Sequence, residues 1–115
     1  MGHLLEMAHG SEVQAVVHVG EVDIIPEAAE LAKMGVLPEG MDRNRTFAEP
    51  SVDVGETPLH LQDVLFDPQT AGGLLIAVNP ADAEELLQAL APCVPRAQRI
   101  GEIQAYPGGS RILLR

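Results

Sequence analysis

Asp67-Pro68-Gln69-Thr70-Ala71-Gly72-Gly73-Leu74-Leu75-Ile76-Ala77-Val78 joins a turn of small residues to an unbroken apolar run. A short run of this kind, bounded by glycines before it and Asn79-Pro80 after it, predicts a strand covered on both faces, and therefore a central one. Asn79 can then cap, and Pro80 open, a helix on which Ala83, Leu86, Leu87 and Leu90 recur at i, i+3, i+4 and i+7, with Pro92 as its stop. Gln98 to Tyr106 and Arg111 to Leu114 read as two further strands, with Pro107-Gly108-Gly109-Ser110 as a hairpin turn between them. The stretch from Leu74 to Tyr106 spans about 33 residues, the size of a right-handed crossover that joins parallel strands.

Upstream the pattern is looser. Met1 to Gly10 places Leu4, Leu5 and Ala8 on one helical face but lacks an N-cap, as though a natural lead-in were missing. Glu12 to Val19 alternates, with Val13, Ala15, Val17 and Val19 on one side, and predicts a half-buried strand. Pro26 suits the first turn of a helix whose stripe is Ala28, Leu31 and Ala32 and which Gly35 can end. Leu37 to Pro58 is punctuated by Pro38, Gly40, Pro50 and Gly55 and predicts a long irregular loop. Thr57 and Pro58 then start a short helix through Phe66, with Leu61, Val64 and Leu65 inward. The sum is a single α+β domain over residues 1–115: a mixed β-sheet of about four strands packed with three to four helices, on one or both faces, near the split β-α-β folds.

With 7 Lys+Arg against 17 Asp+Glu the formal charge is −10, and 46% of the residues are apolar. The apolar fraction supports one folded core rather than disorder. The negative field repels phosphate backbones, and Phe47, Phe66 and Tyr106 are too few for a base-stacking platform, so nucleic acid is not an expected partner. No apolar run approaches the ~20 residues of a membrane span, and no export leader precedes one, which predicts a cytoplasmic protein with no membrane partner. The lone Cys93 excludes an internal disulfide and reads as a small buried apolar residue rather than a nucleophile.

Few residues suggest chemistry. His3, His9, His18 and His60 form no metal-ligand spacing, so no metal site is expected, and no GxSxG surrounds Ser11, Ser51 or Ser110. Gly72 and Gly73, with the Thr70 hydroxyl beside them, either let backbone N–H groups approach an anion or simply admit a neighbouring element against a strand. Asp42-Arg43-Asn44-Arg45 can offer forked donors to a phosphate, with loop solvation as the default reading. The C-terminal Arg96, Arg99, Arg111 and Arg115 against Glu102 give a local excess of positive charge, most simply a solvated face. Convergent carboxylates beside a nucleophile and a base, which phosphoryl transfer requires, are missing from the pattern.

Gly2-His3-Leu4-Leu5-Glu6-Met7-Ala8, Pro26 to Gly35 followed by Pro38, Gly40 and Asn44, and above all Leu65 to Ala77 resemble the selenide, water dikinase (selenophosphate synthetase) family. That family usually reads DPQTSGGLL, so Ala71 stands for a common Ser, and the loop here reads Gly40-Met41-Asp42-Arg43-Asn44 where a second glycine and a Thr often stand. It belongs to the aminoimidazole ribonucleotide synthetase-related superfamily, and the resemblance implies that superfamily's C-terminal α/β domain. It further implies a full-length homodimeric enzyme that uses ATP and Mg²⁺ to make selenophosphate, AMP and phosphate from selenide and water. The N-terminal ATP-binding half, with its reactive Cys or selenocysteine, Lys and aspartates, is expected to lie outside this sequence. No catalytic or metal-binding role transfers to a residue here, Cys93 included. Thr70, Gly72, Gly73 and Asn44 are the candidates for facing a shared cleft, and the 115-residue chain alone is expected to be inactive and to hold no cofactor tightly. A free-standing phosphate- or small-molecule-binding module and a structural interaction domain remain the alternatives.

Overall fold

The computed structural model describes residues 1–69 and 71–115. Among them are five α-helices and four strands: α1 (Gly2–Gly10), β1 (Val13–Val17), α2 (Pro26–Lys33), α3 (Glu39–Ala48), β2 (Val52–Asp53), α4 (Leu59–Leu65), α5 (Ala83–Leu90), β3 (Gly101–Ala105) and β4 (Ile112–Leu114). The sheet order is β2-β4-β1-β3. β4 pairs parallel with both β1 and β2, while β3 pairs antiparallel with β1, so the sheet is mixed as its sequence predicts.

The alternation of β1 sets the core. Val17, Ile112, Leu114 and Val52 face Leu5 of α1, Met41 and Ala48 of α3, and Phe66 beyond α4. Phe66, Ile112 and Leu114 are fully buried and are the largest side chains that are. α2 begins at Pro26 as predicted, with Glu27 in its first turn and Lys33 in its last, both complementing the helix dipole.

Four expectations are corrected. Leu37 to Pro58 is not an irregular loop: it holds α3, one 3-10 turn (Glu49–Ser51) and β2. Its inward stripe is Met41, Asn44, Arg45 and Ala48, at i, i+3, i+4 and i+7, and two polar members hide that period from a count of apolar residues. β3 and β4 do not form a hairpin, because β1 lies between them. The Pro107–Ser110 connection instead straddles the start of β1, where Gln14 Nε2 donates to Ser110 O, Arg111 Nη1 donates to Val13 O, and the Arg111 guanidinium stacks on Tyr106. Leu74 to Val78 is not a central strand but irregular and exposed, so the parallel crossover is absent as well. Cys93 is exposed rather than buried.

α5 begins at Ala83 instead of Pro80, with Asn79 Oδ1 accepting from the Ala81 N–H in the turn before it. Its apolar stripe is half-exposed, and no residue of α5 is buried. The radius of gyration, 14.4 Å, exceeds the roughly 13 Å of a compact chain of this length. No residue from Gly72 to Ala97 is buried, and Arg96 near the end of this stretch pairs with Asp23.

Candidate functional site

α3 fixes the start of the Asp67–Gly73 segment. Asn44 and Arg45 point at the end of α4 because they share the inner stripe with Met41 and Ala48. Asn44 Nδ2 donates to Phe66 O at 2.9 Å, and Arg45 Nη2 donates to Asp63 Oδ1 at 2.6 Å. Arg45 Nη1 is shared between Gln62 Oε1 and Glu49 Oε1, each at 3.2 Å, and the guanidinium carbon lies 4.6 Å from the Phe66 ring centre. Burying the Asp63 carboxylate is costly unless paired, and Arg45 supplies the pair with additional hydrogen bonds. The Met1 amine donates to Leu65 O at 2.9 Å, and burial pushes its pKa below the ordinary value.

Beyond Phe66, Asp67 N–H bonds Val64 O and Gln69 N–H bonds Asp67 O, which coil the chain tightly around Pro68. A Cβ on Gly40 would sit 2.7 Å from Pro68 Cγ, so the glycine lets α3 close against this turn. Gly40→Ala ordinarily adds up to about 1 kcal/mol of helix stability. Here the expected outcome is no gain or a net loss in urea midpoint, because the proline ring must move.

The four sequence candidates separate. Asn44 is brought to the segment, but its amide is spent on the Phe66 carbonyl, which makes it a positioning residue. Gly72 lies under the Gln69 side chain, and a Cβ there would collide with it. Gly73 has open space where a Cβ would stand, so its backbone is the accessible part of the turn. Thr70 lies outside the described residues. Of the Asp42–Arg45 cluster, Arg43 pairs with Glu39 in solvent and Arg45 is committed to Asp63, so neither guanidinium is presented as a free fork. Among the described residues no three of His, Cys, Asp and Glu converge to hold a metal. The described residues do not fit a Mg²⁺ site.

A cleft of about 590 Å³ lies at the carboxyl ends of the three parallel strands, where open sheets commonly take ligands. Val19, Leu61 and Leu114 form its floor, with Gly55, Thr57 and Arg115 at its rim. Sequence reasoning missed it because its walls come from three distant segments without a shared motif. Arg115 Nη2 donates to Asp53 Oδ2 at 2.7 Å, and together with the Gly55 N–H it holds the Asp53 carboxyl below the usual carboxylate range. A depressed carboxyl stabilises the fold above its unfolded pKa of about 4, and this contribution fades as pH falls through the lower folded value. Titrating Asp53 by NMR is expected to show its pKa rising toward the ordinary value in Arg115→Gln.

Residues 1–113 match the family model described as AIR synthase related protein, C-terminal domain, and the chain belongs to that family. It is similar to selenide, water dikinase 2 of Peptoclostridium acidaminophilum, 41% identical over 87% of this chain and 29% of that protein. Selenide, water dikinases of Nitratidesulfovibrio vulgaris (41% identical, 99% of this chain, 33% of that protein) and Clostridioides difficile (46%, 76% and 26%) align likewise. The chain thus spans a third or less of the length of these relatives. No helix among the described residues is long and apolar enough to cross a membrane.

Proposed function

We propose that this chain is the C-terminal domain of a cytoplasmic selenophosphate synthetase, the enzyme that converts ATP, selenide and water to selenophosphate, AMP and phosphate. The observation that carries the reading is the 41% identity to a selenide, water dikinase through 99% of this chain. In this reading the domain contributes shape rather than reacting groups. α3 and α4 hold the Phe66–Gln69 turn through Asn44, Arg45 and Gly40, and the turn presents the Gly73 backbone toward an N-terminal ATP-binding domain. ATP and Mg²⁺ belong to that upstream domain, which also carries the homodimer contacts. Continuing the chain upstream would turn the Met1 amine into an amide N–H able to donate the same bond to Leu65 O.

The test is a chimera in which this chain replaces the C-terminal third of the Nitratidesulfovibrio vulgaris relative. Selenide-dependent AMP formation, followed by ³¹P NMR, is expected from the chimera and not from the 115-residue chain. A folded, inactive chimera would overturn the assignment, and turnover by the chain alone would overturn its inactivity. A second reading, a structural interaction domain, is favoured by one observation: Leu74, Leu75, Ile76 and Val78 are exposed together.

A further inference from the structure

α2 and α4 end differently. α2 closes on itself: Gly35 is left-handed, with φ 75°, and the N–H groups of Gly35 and Val36 donate to Ala32 O and Leu31 O. α4 has no such end, because Phe66 at its C-cap is right-handed and no residue from Asp67 to Gln69 is left-handed. Its own chain supplies Phe66 N–H to Gln62 O and Asp67 N–H to Val64 O. The next two carbonyls are met from outside. Leu65 O accepts from the Met1 nitrogen, 64 residues away in sequence, and Phe66 O accepts from Asn44 Nδ2, 22 residues away.

These are the carbonyls from which the Asp67–Gln69 turn departs. A peptide group is planar, so a held carbonyl oxygen also holds the N–H and Cα that follow it. Leu65 O thereby fixes the peptide into Phe66, and Phe66 O the peptide into Asp67. Beyond them Pro68 restricts its own φ, and Gln69 N–H closes on Asp67 O, which leaves the turn little freedom of its own. Neither donor belongs to α4. Asn44 sits on α3, whose Gly40 packs on Pro68, and residue 1 is where the chain enters α1. In a longer chain its N–H is a backbone amide on the segment that arrives from upstream.

We infer that Asn44 and the N–H of residue 1 form a clamp through which the placement of an upstream domain sets the Asp67–Gln69 turn, with Asn44 a positioning residue for selenophosphate formation, a role that rests on the function proposed above. An upstream domain that draws the residue 1 N–H away from Leu65 O frees one of the two held peptides, and the turn re-aims. ATP sits in that upstream domain in the same reading. The clamp therefore acts on how the turn meets the reacting groups and not on how tightly nucleotide is held, which separates its effect on kcat from KM.

The chimera with the Nitratidesulfovibrio vulgaris relative carries both donors in one continuous chain. There Asn44→Asp, which keeps the shape of the side chain and turns its donor into an acceptor, is expected to lower kcat for selenide-dependent AMP formation about tenfold, while KM for ATP stays within about twofold. Met1→Pro removes the other N–H, and Pro38 and Pro58 already stand at the N-caps of α3 and α4, so a proline suits the start of α1. Its loss should match, and the double variant should lose about as much as either single one, because releasing either end frees the clamp. Val52→Ala, which trims the core from β2, should lower the urea midpoint without changing kcat. Unchanged kcat in folded Asn44 and Met1 variants, losses that multiply, or a rise in KM for ATP alone would each overturn the clamp. In the 115-residue chain, Asn44→Asp and removal of Met1 should each speed amide exchange at Asp67 and Gln69 and leave β1 and β4 protected. Unchanged exchange overturns the clamp even where the chimera is inactive, so its failure stays distinct from that of the selenophosphate synthetase reading.

Discussion

Phe66→Ala is expected to cost about 4 kcal/mol of unfolding free energy, read from urea denaturation followed by circular dichroism. Phe66 has no exposed surface and occupies the point where α4 ends, α3 crosses and the sheet face closes. Removing its ring deletes contacts to several elements at once and leaves a cavity that α3 and β4 cannot collapse into without breaking their own packing. It also strips the flat surface beneath the Arg45 guanidinium. Domains of this size are commonly stable by only 5–15 kcal/mol, so the variant should sit near the edge of folding at 37 °C. Phe66→Leu, which keeps most of the volume, should lose less than half as much. Equal losses from both substitutions would show that Phe66 acts through its aromatic face and not by filling space.

Asp63→Ala is expected to cost about 3 kcal/mol, and for a different reason. The Asp63 side chain is 9% and that of Arg45 17% exposed. Deleting the carboxylate strands a guanidinium that retains only Gln62, Glu49 and the Phe66 ring. The penalty is mostly that of the uncompensated charge, so the double variant Arg45→Met/Asp63→Leu should recover most of the loss. Failure of the double variant to recover would mean that the pair is worth its full hydrogen-bond energy. The single variant should also loosen the Phe66–Gln69 turn, visible as faster amide exchange at Asp67 and Gln69. In the full-length enzyme proposed above, that loosening should lower turnover without touching a reacting group.

These two residues mark the boundary of what a sequence can disclose. The short helix that ends at Phe66 is legible from Pro58 and its apolar stripe, whereas the complete burial of Phe66 itself appears only in the tertiary structure. The burial of Asp63 is not legible either, because a carboxylate on the same helix reads as solvent-facing until Arg45 is known to lie opposite it, 18 residues away. The same blindness hid α3. Its helical period passes through Asn44 and Arg45, and only the partners on α4 make those positions interior. Asn44 reads in sequence as a cleft residue yet holds the Phe66 carbonyl, since an amide can serve a ligand or a backbone equally well until its neighbour is in place.

Local pattern alone determined the elements whose cause is local. The alternation of Val13 to Val17, the proline-led start at Pro26, the short helix after Pro58 and the mixed α+β class all follow from residues close together in the chain. The Leu65–Ala77 string resembles selenide, water dikinases, to two of which the chain is 41% identical. Tertiary structure decided the insertion of β1 between β3 and β4, the cleft at the ends of the parallel strands, and the fate of Leu74 to Val78. Each of these depends on which distant surface lies alongside. An apolar run specifies that it should be buried, but not against which edge, nor whether that edge belongs to the same chain.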